Sequence, residues 1–233
     1  MTAKLFACLC FLFLAVPVLA QDTIPTANLD DKYREDQFYV GVTYNLLASV
    51  PSNINLRGLS GGVQFGFMRD MPVNERRNVA IALGAGLAFD QYGSNLFIGE
   101  NPDESTIFSA LDSSIDFDTN RFSAVTVEAP LEFRWRTSTA APEKFWRIYG
   151  GVRVGYTYYY RALFTQPNNK VSQTDIPEFQ NLRLGATLSF GYGSFNFHAH
   201  YSITPFFENA VIEETGETFD FRTLKVGVMF YIL

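Results

Sequence analysis

At 233 residues, with 18 Lys and Arg against 24 Asp and Glu, the chain has the length of one β domain and a formal charge of −6. That balance leaves no basic sheath for nucleic acid. Apolar residues make up 47% of the sequence, yet beyond residue 20 no uncharged apolar run reaches the roughly eighteen residues that a membrane helix needs.

Lys4 precedes an apolar run from Leu5 to Val16, and Val18-Leu19-Ala20 ends in the small residue expected before a signal-peptidase cut. Residues 1–20 are therefore expected to be a secretory signal, with the mature chain starting near Gln21. Both cysteines, Cys8 and Cys10, lie in this segment, so the mature chain is expected to lack thiols, disulfides and thiolate metal sites. Cys8 follows Leu5-Phe6-Ala7 in the manner of a lipid-attachment cysteine, but the apolar region continues well past it. Removing Lys4 takes the formal charge from −6 to −7. Residues 21–36, with Asp30, Asp31, Lys32, Arg34, Glu35 and Asp36, read as a polar periplasmic segment ahead of a domain spanning 37–233.

Gln37–Ala48 alternates Phe38, Val40, Val42, Tyr44 and Leu46 with Tyr39, Gly41, Thr43 and Asn45, the period of a strand with one oily face. Pro51-Ser52-Asn53 signals a loop. Gly58–Asp70 is oily at Leu59, Val63, Phe65 and Phe67, with Gly62, Gln64 and Gly66 opposite. A short charged turn leads to Asn78–Tyr92, where Val79, Ile81, Leu83, Ala85, Leu87 and Phe89 oppose Ala80, Ala82, Gly84, Gly86, Ala88 and Asp90. Gly84-Ala85-Gly86 lacks the third glycine and following helix of a nucleotide loop, so these glycines are expected to make room for interior side chains.

Residues 93–120 form the longest connection and carry Glu100, Asp103, Glu104, Asp112, Asp116 and Asp118 without one lysine or arginine. The spacing of Asp112, Asp116 and Asp118 could serve a hard cation, but the glycine and ligand ladder of a calcium loop are missing, and a solvated loop is expected. Arg121–Arg136 and Phe145–Phe164 are the plainest strands. Val125, Val127, Ala129, Leu131, Phe133 and Trp135 alternate with Thr126, Glu128, Pro130, Glu132 and Arg134. Trp146, Ile148, Val152 and Val154 then oppose Arg147, Tyr149, Gly151 and Arg153, and Tyr156, Tyr158 and Tyr160 read as an outward girdle at a membrane interface. Both strands run to about twice the five or six residues usual in soluble sheets, the length needed by a tilted strand crossing a bilayer.

A polar loop at 165–179 precedes Leu182–Tyr192, Gly193-Ser194 makes a two-residue hairpin turn, and Phe195–Phe206 follows. An acidic loop, Glu208–Thr218, leads into Phe219–Leu233. The connections alternate long and short through eight strands, as in bacterial outer-membrane barrels with short periplasmic turns and longer external loops. The expected fold is all-β: an eight-stranded antiparallel up-and-down transmembrane β-barrel in the bacterial outer membrane, with its N-terminus periplasmic.

Pro130-Leu131-Glu132-Phe133-Arg134-Trp135, the glycine-alternating strands and the terminal Val228-Met229-Phe230-Tyr231-Ile232-Leu233 carry a resemblance. On them the chain resembles the OmpA/OmpX-like eight-stranded barrels, and more closely the PorT-like outer-membrane β-barrel proteins. The resemblance implies a non-enzymatic structural or accessory component of a type IX secretion or other outer-membrane assembly complex. It implies as partners outer-membrane lipid and lipopolysaccharide, the barrel-assembly machinery, and other outer-membrane or periplasmic secretion-complex subunits, with no cofactor. The chain departs from the common pattern in ending on Leu233 rather than phenylalanine.

Chemistry in such a barrel would lie on the inward face. That face is expected to carry Glu128, Glu132, Arg134 and Arg136 on one strand, Arg147, Arg153 and Arg161 on the next, then Arg183, His198, His200, Arg222 and Lys225. Eight strands enclose an interior just wide enough for side chains to fill, and an unpaired buried charge is costly, so an interlocked polar network is expected. His198, His200 and Ser202 share a face, which raises Ser–His nucleophilic chemistry or a two-histidine metal site. No acidic residue of the same strand orients either histidine, and the lumen is remote from acyl substrates. No catalytic, cofactor or metal residue is assigned; a lipid-modifying enzyme and a small channel or ligand-binding barrel are the rival readings.

Overall fold

The period-two alternation closes into a cylinder because the first and last strands of the domain hydrogen-bond to each other. The computed structural model describes residues 36–112, 114–137 and 146–232, so the expected signal and most of the polar lead-in lie outside the described residues. The strands are β1 (Asp36–Ala48), β2 (Gly61–Pro72), β3 (Val79–Gly93), β4 (Leu96–Glu100), β5 (Thr106–Ala110), β6 (Thr119–Arg136), β7 (Trp146–Gln166), β8 (Asn169–Gln173), β9 (Leu182–Tyr192), β10 (Phe195–Ser202) and β11 (Arg222–Ile232). β1, β2, β3, β6, β7, β9, β10 and β11 form the eight-stranded antiparallel barrel, sealed where β1 pairs with β11 from Phe38↔Ile232 to Ala48↔Arg222. Closure pairs each of these eight strands on both sides, the condition for crossing a bilayer with sheet.

Facing follows the alternation. Phe38, Val42, Leu83, Phe133, Ile148 and Phe190 are exposed on the outside, while Gln37, Tyr39, Met68, Asp70, Arg134 and Met229 are buried inside. The Gly84-Ala85-Gly86 expectation is met by packing. A Cβ on Gly86 would lie 2.0 Å from the Tyr39 hydroxyl, and one on Gly66 would lie 2.7 Å from Cζ of the same ring. The tyrosine thus lies across bare backbone, where any larger residue would collide with it.

The structure departs from the sequence reading at the long-loop end. β2 begins at Gly61 rather than Gly58, whose φ of +84° bends the chain just before it. β10 stops at Ser202 rather than Phe206, and β11 starts at Arg222 rather than Phe219. The freed phenylalanines turn inward to form an apolar cap over the lumen. Phe108, Phe122, Phe179, Phe206, Phe207, Phe219, Phe221 and Tyr92 are buried together, with ring centroids 5.2 Å apart for Phe108–Phe207 and 5.3 Å for Tyr92–Phe206. Such edge-on pairs contribute about 0.5–1.5 kcal/mol each beyond their area. The expected solvated connection 93–120 contains the β4–β5 hairpin, and β8 extends β7.

The second departure is a bulge. Val125 pairs with Tyr159, but Thr126 pairs with Thr157, which leaves Tyr158 as an extra residue in β7. One inserted residue reverses every later side chain. Tyr158 and Tyr159 both face outward, whereas Tyr160 turns in against Phe179 at 4.0 Å between ring centroids. Tyr160 therefore belongs to the cap and not to the girdle.

This facing makes a measurable claim. Val152→Arg, on the outer face of mid-β7, is expected to cost about 2–4 kcal/mol of stability in lipid vesicles, and Leu59→Arg, outside the strand ends, about 0–1 kcal/mol. Denaturant titration of the refolded proteins checks it; equal costs would misplace the membrane belt.

Candidate functional site

The chemistry-bearing side chains form a connected ladder inside the barrel. At the short-turn end Arg134, 1% exposed, places Nη1 2.5 Å from Asp70 Oδ1 and 3.0 Å from Gln37 Oε1. Its Nε and Nη2 donate to Glu132 Oε2 at 3.0 and 2.9 Å. The guanidinium lies over Tyr149 at 4.5 Å and Tyr231 at 5.1 Å. Arg136 adds a contact from Nη1 to Asp70 Oδ2 at 3.3 Å. One carboxylate from β2 therefore serves two arginines of β6.

Further in, Arg153 of β7 donates to Glu128 Oε2 at 2.9 Å and Gln64 Oε1 at 2.6 Å, and its Nη2 lies 3.9 Å from Glu132 Oε1. Glu132 thus joins the Arg134 and Arg153 clusters. Beyond them Lys225 of β11 is ion-paired with Asp90 of β3, whose second oxygen accepts from Asn45 Nδ2 at 3.1 Å. Each of these carboxylates and cations has left water, and only mutual pairing with further hydrogen bonds makes that tolerable.

Glu128, Glu132, Arg134, Arg136, Arg147, Arg153, His198, His200 and Lys225 are buried on the inward face, and Arg183 is half-buried there. Arg161 is not. Past the Tyr158 bulge it points outward, and its Nε donates to Ser172 Oγ at 2.8 Å. Arg222 also departs from the inward set, sitting at the rim with Asp220 at 2.9 Å. The sequence reading missed Asp70, Gln37 and Asp90 as network members. All three share the inward parity of their strands, which was the available signal.

Ser202 and the two histidines take separate partners. Ser202 Oγ accepts from Arg183 Nη2 at 2.7 Å and donates to the Thr204 carbonyl at 2.9 Å. His198 Nδ1 instead meets Ser189 Oγ at 2.8 Å, a contact absent from the sequence reading, and its buried Nε2 has no hydrogen-bond partner among the described residues. A nucleophile–base–orienter series is therefore incomplete at either serine. Gly185 makes room for His200, since a Cβ there would lie 1.9 Å from Nε2.

In the loops the acids organise local structure. Asp103 accepts from the hydroxyl and amide of Ser105 at 2.7 and 3.2 Å, which holds its carboxyl below the usual range. Ser109 donates to Glu214, and Thr106 Oγ1 donates to Glu178 Oε2 at 2.7 Å, tying β5 to two other loops. Among the described residues no three His, Asp or Glu side chains gather as a metal set.

The barrel is closed, with an oily exterior and a charged lumen. The outer membrane protein beta-barrel domain family matches residues 19–208. The chain belongs to this family. The outer membrane is accordingly its location, and the match ends before β11, the strand that seals the barrel. No curated protein matches the chain. Among solved structures, the backbone structure of the Yersinia pestis outer membrane protein Ail in a phospholipid bilayer nanodisc is 16% identical, with 85% of this chain and 100% of that chain covered at a TM-score of 0.34.

The ladder predicts a sharp contrast between two aspartates. Asp70→Asn leaves Arg134 and Arg136 without their shared carboxylate and is expected to cost about 3–5 kcal/mol. Asp36→Asn breaks only the exposed pair with Arg69, 3.8 Å apart, and is expected to cost under about 1 kcal/mol. The heat-induced gel shift of the refolded barrel measures both.

Proposed function

We propose that the protein is a non-conducting, non-enzymatic barrel that serves as an accessory component of a type IX secretion or other outer-membrane assembly complex. The observation that carries this reading is the unbroken series of buried side chains Asp70–Arg134–Glu132–Arg153–Glu128 across the lumen. Conduction would require breaking buried ion pairs, and the aromatic cap covers the same path. With interior and exterior both committed, the capped loops are the surface left for recognition.

In this reading the short turns and the N-terminus face the periplasm and the cap faces outward, in keeping with the alternating connection lengths. Outer-membrane lipid and lipopolysaccharide surround the oily face, and the barrel-assembly machinery inserts the chain. The secretion-complex partner is supported by the resemblance of residues 130–135 and 228–233 to PorT-like proteins. A fold alone would not supply it.

Three measurements test the reading. Reconstituted in planar bilayers, the protein is expected to show no stepwise conductance, and a stable open channel would overturn it. Crosslinking in native membranes is expected to capture outer-membrane or periplasmic subunits of one complex. Ser202→Ala should leave the cell's lipid A profile unchanged, because that hydroxyl is held by Arg183 and a carbonyl; an altered profile at unchanged barrel stability would favour a lipid-modifying enzyme instead.

A further inference from the structure

Between the Arg153–Glu128 pair and the aromatic cap the lumen holds a cavity of about 20 Å³, room for a single monatomic ion or water. Three cations, Arg153, Arg183 and Lys225, and two carboxylates, Asp90 and Glu128, line it. Arg153 is paired with Glu128 and Lys225 with Asp90. Arg183 has no carboxylate partner among the described residues, so the wall carries one uncompensated positive charge.

The surroundings of Arg183 offset that charge only in part. Its Nη1 donates to the Pro205 carbonyl at 2.5 Å, its Nη2 to Ser202 Oγ and the Thr204 carbonyl, and the ring of Phe206 covers its face at 3.7 Å. Neutral dipoles and a ring face do not fully replace a counter-ion for this half-buried guanidinium. One further polar group on the cavity wall is buried without a hydrogen-bond partner among the described residues: Nδ1 of His200, in a residue 8% exposed. A native interior seldom leaves such a group unmatched, and an N–H donor beside a guanidinium without a carboxylate suits an anion.

We propose that this cavity is a site for one halide-sized monovalent anion, chloride in ordinary salt, with Arg183 as its counter-charge and His200 Nδ1–H as a hydrogen-bond donor. The two lining carboxylates do not compete for Arg183, since each is engaged by its own cation. The volume admits a monatomic ion. The anion completes the charge pairing of the ladder at the level where it meets the cap.

The test uses the full mature chain refolded in sodium chloride, sodium bromide or sodium gluconate at equal ionic strength, with crystals grown from bromide. The heat-modifiability midpoint is expected to be higher in either halide than in gluconate and to saturate with halide concentration, as binding to the folded state requires. Bromide is expected to give an anomalous peak beside Arg183. Arg183→Gln, which keeps amide donors but removes the charge, is expected to abolish the halide dependence. Equal midpoints in wild type, or no bromide peak, would mean that water alone fills the cavity and would overturn the site; so would an undiminished halide effect in Arg183→Gln. Should that variant fail to refold, the wild-type salt series and the bromide peak still decide.

Discussion

Glu132 is the carboxylate on which the interior depends. One oxygen serves Arg134 and the other faces Arg153, so a single side chain of β6 ties a cluster involving β1 and β2 to one involving β7. Pairing of this kind fixes register far more strictly than oily contacts do, because a slip by one residue would put each charge into lipid. The outer face, by contrast, is met by lipid tails that accept any apolar side chain. The specificity of the fold therefore resides in its polar interior.

The apolar cap solves a different problem. A barrel end opened to water would hydrate the ladder and weaken its ion pairs through a higher local dielectric. Phe206 and Phe207 beyond the end of β10, and Phe219 and Phe221 ahead of β11, pack together as a buried apolar cluster at this end. The cross-loop bonds from Thr106 and Ser109 then hold the loops to one another. Order at this end thus comes from the same exclusion of water that makes the ladder stable.

Much of this was legible in the residues. β6 and β7 announced themselves by strict alternation over a length that only a membrane strand requires, and the inward parity of Glu128, Glu132, Arg134 and Arg153 followed directly. The bulge was hidden because Tyr158-Tyr159-Tyr160 offers an aromatic ring in either phase, so no break in the pattern marked the reversal that moved Arg161 outward. The cap was hidden because acidic composition dominated the loops, while their phenylalanines have no period; apolar residues that meet only in three dimensions leave no local signature. Asp70 and Asp90 were passed over near strand ends, although their parity matched that of their future partners.

The seam between β1 and β11 joins the first strand of the barrel to its last. Asp90 of β3 waits for Lys225, 135 positions later, and Tyr231 arrives on that same final strand to stack beside Arg134. Until β11 docks, the nascent sheet holds a carboxylate without its cation and two open edges at once. Docking of β11 therefore supplies that cation and closes both edges together.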